Sequence, residues 1–185
     1  MRIIAGSHRG RALVAPPGRT VRPTADRARQ ALFDILEHRP PGLRGRHVLD
    51  LFAGTGAVAL EALSRGAAAA TLVEHDRDAL RAIERNVRTL AASDRVRIIA
   101  GDATRLGRAV ATHDLVFVDP PWSQDLAGPA LGAALAQGWI APAAQIVVET
   151  AARGGWMPPE PFQVEQERRY GAARFVFLRG PGETR

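Results

Sequence analysis

Between residues 46 and 149, short apolar runs alternate with stretches of helical periodicity, an order that few architectures accommodate. The runs 46–51, 69–74, 96–100, 114–118 and 144–149 read as strands, and 57–65, 76–91, 103–109 and 126–137 as helices. Strands separated by helices pair in parallel with the helices packed on the sheet's faces, so a doubly wound α/β sheet is expected. The end of the chain breaks the pattern. Residues 162–168 and 173–179 are extended stretches around Tyr170-Gly171-Ala172 and predict a closing antiparallel hairpin. Near the start, the apolar runs 2–5 and 11–14 flank Gly6-Ser7-His8-Arg9-Gly10, which reads as a second hairpin with a Gly-rich turn. Pro16-Pro17-Gly18 interrupts the chain, and Thr24, after Pro23, is a candidate N-cap. The helix it would open carries Ala28, Ala31, Leu32, Ile35 and Leu36 and stops at Pro40-Pro41-Gly42. The division expected is a basic β-hairpin extension over 1–22 and one α/β domain over 23–185.

The net charge of +6 is confined to one end. The first 29 residues hold seven Arg and one acid, Asp26, and the remainder is balanced. Every basic side chain is Arg, whose planar fork pairs with phosphate and stacks on bases. A concentrated basic segment points to a polyanion partner. Arg2, Arg9, Arg11 and Arg22 are the candidate contacts. The chain has no Cys, so disulfides, thiolate metal sites and thiol nucleophiles are excluded. Its five His residues are scattered without ligand spacing, and no metal is expected. The start does not read as a secretory signal, and no apolar run approaches the roughly 20 residues of a membrane span. A cytoplasmic protein is expected.

Four motifs carry chemistry. Asp50-Leu51-Phe52-Ala53-Gly54-Thr55-Gly56-Ala57 follows a strand and opens a helix, where glycines let backbone approach a ligand and free N–H groups are exposed. This turn suits an adenosine-containing ligand, and by itself leaves NAD and S-adenosylmethionine open. Glu74-His75-Asp76 ends the second strand. Glu74 is placed to accept from ribose hydroxyls, and Asp76 to cap the next helix. Gly101-Asp102-Ala103 ends the third strand, and Asp102 has two competing uses, acceptor for an adenine amino group or helix cap. Asp119-Pro120-Pro121-Trp122 ends the fourth. Two prolines cannot continue a ladder, so the chain turns stiffly at the sheet's carboxyl edge. There the Asp119 carboxylate and the Pro120 carbonyl are two acceptors suited to the two hydrogens of an exocyclic amino group, and Trp122 offers a face for the base. Direct displacement at a sulfonium methyl needs alignment more than acid–base groups. The proton left over passes to Asp119 or to water.

These motifs resemble the bacterial 16S ribosomal RNA guanine-N2 methyltransferase family. The resemblance covers nearly the whole chain: Arg2-Ile3-Ile4-Ala5-Gly6 with Arg9-Gly10-Arg11 and Leu13, Arg22-Pro23-Thr24 through Phe33, Asp50 through Gly66, and Val118-Asp119-Pro120-Pro121. It implies a class I methyltransferase fold, Rossmann-like, with a seven-stranded and mostly parallel sheet whose last strand is antiparallel. It implies S-adenosylmethionine as methyl donor, S-adenosylhomocysteine as product, and a guanine of 16S rRNA as target, presented in an assembling small ribosomal subunit. A monomer is expected. By resemblance, Asp50, Phe52, Gly54, Gly56, Glu74, Asp102 and Ala103 hold the cofactor, Thr24 covers it, and Asp119, Pro120 and Trp122 hold the base. Trp122 departs from the Phe or Tyr usual in related enzymes.

Other readings explain less. An adenine-N6 methyltransferase of DNA or RNA shares the Asp-Pro-Pro-aromatic motif, but the DNA enzymes usually add a target-recognition region. A nicotinamide oxidoreductase leaves Asp119 to Trp122 unexplained. A non-catalytic RNA-binding assembly factor has no physical need of paired acceptors.

Overall fold

A computed structural model describes residues 1–16 and 23–182, with the backbone alone for 23–25. Arg22 and the side chain of Thr24 therefore lie outside the described residues. The elements in chain order are α1 (Pro23–His38), β1 (His47–Leu51), α2 (Ala57–Ser64), β2 (Ala69–Glu74), α3 (Arg77–Thr89), β3 (Val96–Ala100), β4 (His113–Val118), α4 (Ala127–Ala136), β5 (Ile140–Ala151), β6 (Gln163–Tyr170) and β7 (Ala173–Arg179).

The seven strands form one sheet in the order β3-β2-β1-β4-β5-β7-β6. The pairings from β3 across to β5 are parallel, whereas β7 runs antiparallel to both β5 and β6. This is the sheet that the family resemblance implies. Side chains alternate across it as the two-residue period of a strand requires. Val48, Leu115 and Phe117 face a core shared with Leu32, Phe33 and Leu36 of α1, Leu60 and Leu63 of α2, and Ile83 and Val87 of α3. Leu49, Leu51, Val116 and Val118 face the other way, onto Ala127, Ala130, Leu131 and Ala134 of α4.

Two expectations are corrected. Pro23 already lies in α1, so Thr24 sits in the first turn and is not the cap. The helix expected over 103–109 is a single 3₁₀ turn, Ala103–Arg105, followed by an extended Leu106. Tertiary bonds hold this segment out of the helix: the Trp139 indole donates to the Gly107 carbonyl (2.8 Å), and the Ala109 amide donates to Gln137 (2.9 Å). β5 also begins earlier than its apolar run, at Ile140, because the register with β4 slips between His113 and Leu115.

The amino-terminal hairpin forms with a single ladder bridge between Arg2 and Ala12, and it packs on the same core through Ile3 and Leu13. Its backbone is bonded to α2. Glu61 accepts from the Ile4 amide (2.7 Å) and the Ala5 amide (3.0 Å), and the Ser64 hydroxyl donates to the Ala5 carbonyl (2.6 Å). The carboxamide of Asn86 closes the far end, accepting from the Val14 amide (2.7 Å) and donating to its carbonyl (3.0 Å). No helix among the described residues is long and apolar enough to cross a membrane.

Candidate active site

The chain leaves β1 for β2 on one side and returns to β4 on the other, so the carboxyl ends of β1 and β4 flank the point where the winding reverses. Ligands of open α/β sheets bind at that crevice. The ends of β1, β2 and β4 deliver Phe52, Glu74 and Asp119 to it, as the motifs predict. With His75, Pro120, Pro121 and Trp122 they line an open cleft of about 340 Å³.

The turn after β1 is tightly constrained. Gly54 and Gly56 have positive φ, at 57° and 74°, where L residues are disfavoured. A Cβ on Gly56 would stand 2.8 Å from the Leu72 side chain. Phe52 adopts φ 65° despite its bulk, a strained conformation of the kind that clusters at ligand sites. Gly56 offers no side-chain cap to α2. Asp50 supplies one from below, since its buried carboxyl accepts from the Ala59 amide (3.3 Å). The structure thus gives Asp50 a positioning role beneath the turn.

Burial, with the nearby Asp119 and Glu74 carboxylates, pushes the Asp50 pKa up to about 8. A raised carboxyl pKa means the folded state holds a proton that the unfolded chain releases near its ordinary value of 3.8. Stability from this group is therefore lost as pH rises from there toward about 8. Asp50→Asn keeps an acceptor for Ala59 and removes the titration. Melting temperatures measured from about pH 5 to 9 are expected to fall less steeply for Asp50→Asn than for the parent. Parallel curves would mean that the carboxyl is ionised throughout.

Glu74 is buried and held by three backbone donors. Its Oε2 accepts from Gly54 (2.8 Å), and its Oε1 accepts from His75 and Asp76 (2.8 Å each). A carboxylate has about four acceptor positions, so roughly one remains on Oε2 for a hydroxyl in the cleft. Asp76 caps α3 by accepting from Ala79 (2.8 Å), as expected. Asp102 resolves its two uses in part. Its Oδ1 accepts from the amide (2.8 Å) and hydroxyl (2.7 Å) of Thr104, and these bonds hold its pKa below the ordinary value. The carboxylate is exposed, and among the described residues its Oδ2 has a long contact to Arg105 (3.8 Å). The neighbouring Ala103 is buried in the core.

Beyond the Asp-Pro-Pro-Trp turn lies a second open cleft, of about 370 Å³, sharing Pro120 and Trp122 as a wall. Ser123, Gln124, Asp125, Glu149, Thr150 and Trp156 line the rest with neighbouring small residues. Glu149 and Trp156 belong to none of the four sequence motifs. Glu149 does carry the signal that marks Glu74 and Asp119, an acid closing an apolar run, but no turn motif follows it. Trp156 follows two glycines in a segment without periodicity.

Of the basic residues, Arg2 and Arg9 come together with Arg27 of α1 around a surface cleft of about 380 Å³. Arg11 is exposed outside that group. Arg29 is buried, bonded to the Arg2 carbonyl (2.7 Å) and Asp26 (3.1 Å), and is removed from the exposed basic surface. Among the described residues no group of His and acidic side chains could hold a metal ion.

A model of the family described as conserved hypothetical protein 95 matches residues 1–179. Ribosomal RNA small subunit methyltransferase D of Escherichia coli strain K12 is 40% identical over 156 residues, 84% of this chain and 77% of its own length. The Haemophilus influenzae protein of the same name is 33% identical over 179 residues, covering 95% and 91%. A solved structure from Escherichia coli, described as a "putative methyltransferase", superposes with a TM-score of 0.82 at 36% identity and covers 99% of each chain.

Proposed function

The chain belongs to the conserved hypothetical protein 95 family and is a relative of the ribosomal RNA small subunit methyltransferase D proteins, and from that premise we propose that it transfers a methyl group from S-adenosylmethionine to the exocyclic N2 of one guanine in 16S rRNA. The observation that carries this reading is the Asp119-Pro120-Pro121-Trp122 turn, which lines both the cleft closed by Glu74 and Phe52 and, through Pro120 and Trp122, the second cleft. A donor lodged in one and a base in the other meet at that turn.

The residues fit such a donor. Phe52 gives an apolar wall, Glu74 keeps an acceptor for a ribose hydroxyl, and the exposed edge of Asp102 is available to an adenine amino group. S-adenosylmethionine supplies, when bound, an electrophilic methyl group on a sulfonium. The protein's part is orientation. The amino lone pair of guanine is delocalised into its ring. Asp119 and the Pro120 carbonyl accept the two amino hydrogens and favour the pyramidal nitrogen whose lone pair can attack. Binding energy is thereby spent on the geometry of transfer. Asp119 or water takes the proton that the methylated nitrogen sheds.

The rRNA itself is gripped elsewhere, by exposed Arg2, Arg9 and Arg27. Arg2→Ala together with Arg9→Ala is expected to weaken binding of small-subunit rRNA. The slope of log K against log salt should fall by roughly 0.7–0.9 for each phosphate that is no longer neutralised. An unaltered slope would place the RNA on another face. The target is expected in an assembling subunit, with a monomeric cytoplasmic enzyme acting on it. Mass mapping of modified nucleosides in 16S rRNA, from cells with and without the protein, tests the whole reading. A single N2-methylguanosine that vanishes with the protein is the expected result. An unchanged map refutes it.

A further inference from the structure

We propose that Glu149 identifies the target base, its carboxyl group bonding the N1–H and O6 of a guanine lodged in the cleft that Trp122 and Trp156 line. This rests on the guanine-N2 reading and extends it to the residue that tells guanine from adenine. β4 and β5 are parallel neighbours with Val118 opposite Val148, so Asp119, just past the end of β4, and Glu149, still within β5 and paired with Phe175 of β7, stand side by side where the β4–β5 ladder ends. Asp119 enters the first cleft and Glu149 the second, on either side of the shared Pro120–Trp122 wall. A base whose amino group reaches Asp119 therefore turns the next atoms of the same edge toward Glu149.

Those atoms differ between the purines. After its amino group guanine presents a donor, N1–H, and then an acceptor, O6. Adenine held by its amino group presents an acceptor, N1, and then a C–H. A neutral carboxyl offers one acceptor and one donor side by side, and it complements the guanine pair at both points. Glu149 is in that form at neutral pH, because burial and then the Asp119 charge raise its pKa to about 8. The charged groups around it agree. Asp119 approaches from β4, Asp125 from the segment before α4, and the described residues of the cleft lining include no cation. Arg174 of β7 is committed elsewhere, donating to the Thr150 hydroxyl (3.2 Å) and the Trp156 carbonyl (2.7 Å) and pairing with Glu167 (3.5 Å). Those bonds also tie the segment bearing Trp156 to the end of β5, which fixes the far wall.

The test uses the full chain and an rRNA fragment in which the mapped target is either guanine or 2-aminopurine. The analogue keeps the N2 amino group and lacks both N1–H and O6. Methyl incorporation is measured from about pH 6 to 9, spanning the Glu149 titration, with S-adenosylmethionine affinity measured in parallel as a check that each variant folds. Glu149→Ala is expected to lower kcat/KM by roughly 10- to 100-fold, the discrimination of one good bidentate base contact. Glu149→Gln presents the same acceptor and donor without a titrating proton, so it should recover most of that loss. It should also abolish the decline of the parent enzyme above about pH 8. The parent should reject 2-aminopurine by a similar factor, and Glu149→Ala should not discriminate. A parent that methylates 2-aminopurine as well as guanine overturns the assignment, as does a Gln variant as impaired as Ala. Either result leaves the guanine-N2 reading standing. Incorporation into a nucleoside other than guanosine overturns both.

Discussion

Asp119→Ala is expected to bind S-adenosylmethionine with near-parental affinity and to transfer methyl groups about 100- to 1,000-fold more slowly, the usual cost of removing one preorganised hydrogen-bonding group from a reacting centre. The loss should fall in kcat more than in KM. On the proposed reading the Asp119 carboxylate strengthens its hold only as the amino nitrogen becomes pyramidal, whereas stacking on Trp122 and phosphate contacts by Arg2 and Arg9 would be made equally in the ground state. Asp119→Asn separates geometry from charge. Its carbonyl oxygen still accepts one amino hydrogen, so it should lie between the parent and Ala. Removing the Asp119 charge also relieves Asp50 and Glu149, whose carboxyl pKa values it helps to raise. With those values lower, the alkaline decline proposed for Glu149 should begin at lower pH in Asp119→Asn. Calorimetry with the cofactor and a single-turnover methyl-incorporation assay decide the matter. Unchanged turnover would remove Asp119 from the reaction.

What is legible in the chain alone is what local chemistry dictates. The parallel strands announce themselves as apolar runs because both of their faces are covered, and Gly54, Gly56 and Pro120-Pro121 mark where the backbone must turn at the sheet's edge. Glu74 and Asp119 are legible because each is an acid closing such a run. Residues whose partners are distant in sequence are not. Asn86 lies on a helix with a strongly polar face and looks like part of it, yet it is fully buried and bonds Val14, 72 residues away. The helix expected over 103–109 is lost to the same kind of contact, since the bonds that hold Gly107 and Ala109 come from Trp139 and Gln137. Glu149 becomes recognisable only with β5 placed beside β4.

Glu61→Ala is expected to destabilise the fold by about 3–5 kcal/mol, the cost of breaking a buried ion pair and leaving its partner charged. Glu61 is wholly buried in α2, and Arg65, one turn later, donates to it at 2.7 Å from a side chain only 1% exposed. Arg65 also reaches Glu37 (3.0 Å) and Asp34 (3.7 Å) and lies over the ring of Phe33 in α1, so the guanidinium loses its closest and most buried partner while these contacts keep it buried between the two helices. Loss of the carboxylate strips two further partners at once, the amides of Ile4 and Ala5. For a chain of this size the shift is roughly 6–20 °C in melting temperature. The effect should also be local, because those amides anchor the hairpin that presents Arg2 and Arg9. Hydrogen exchange at Ile4 and Ala5 should accelerate more than in β1 or β4, and rRNA affinity should fall with it. Glu61→Gln keeps an acceptor for one amide and should lose less. An unshifted melting temperature would show that Ile3, Leu13 and the bonds to Ser64 and Asn86 hold the hairpin without Glu61, with the buried charges contributing nothing net.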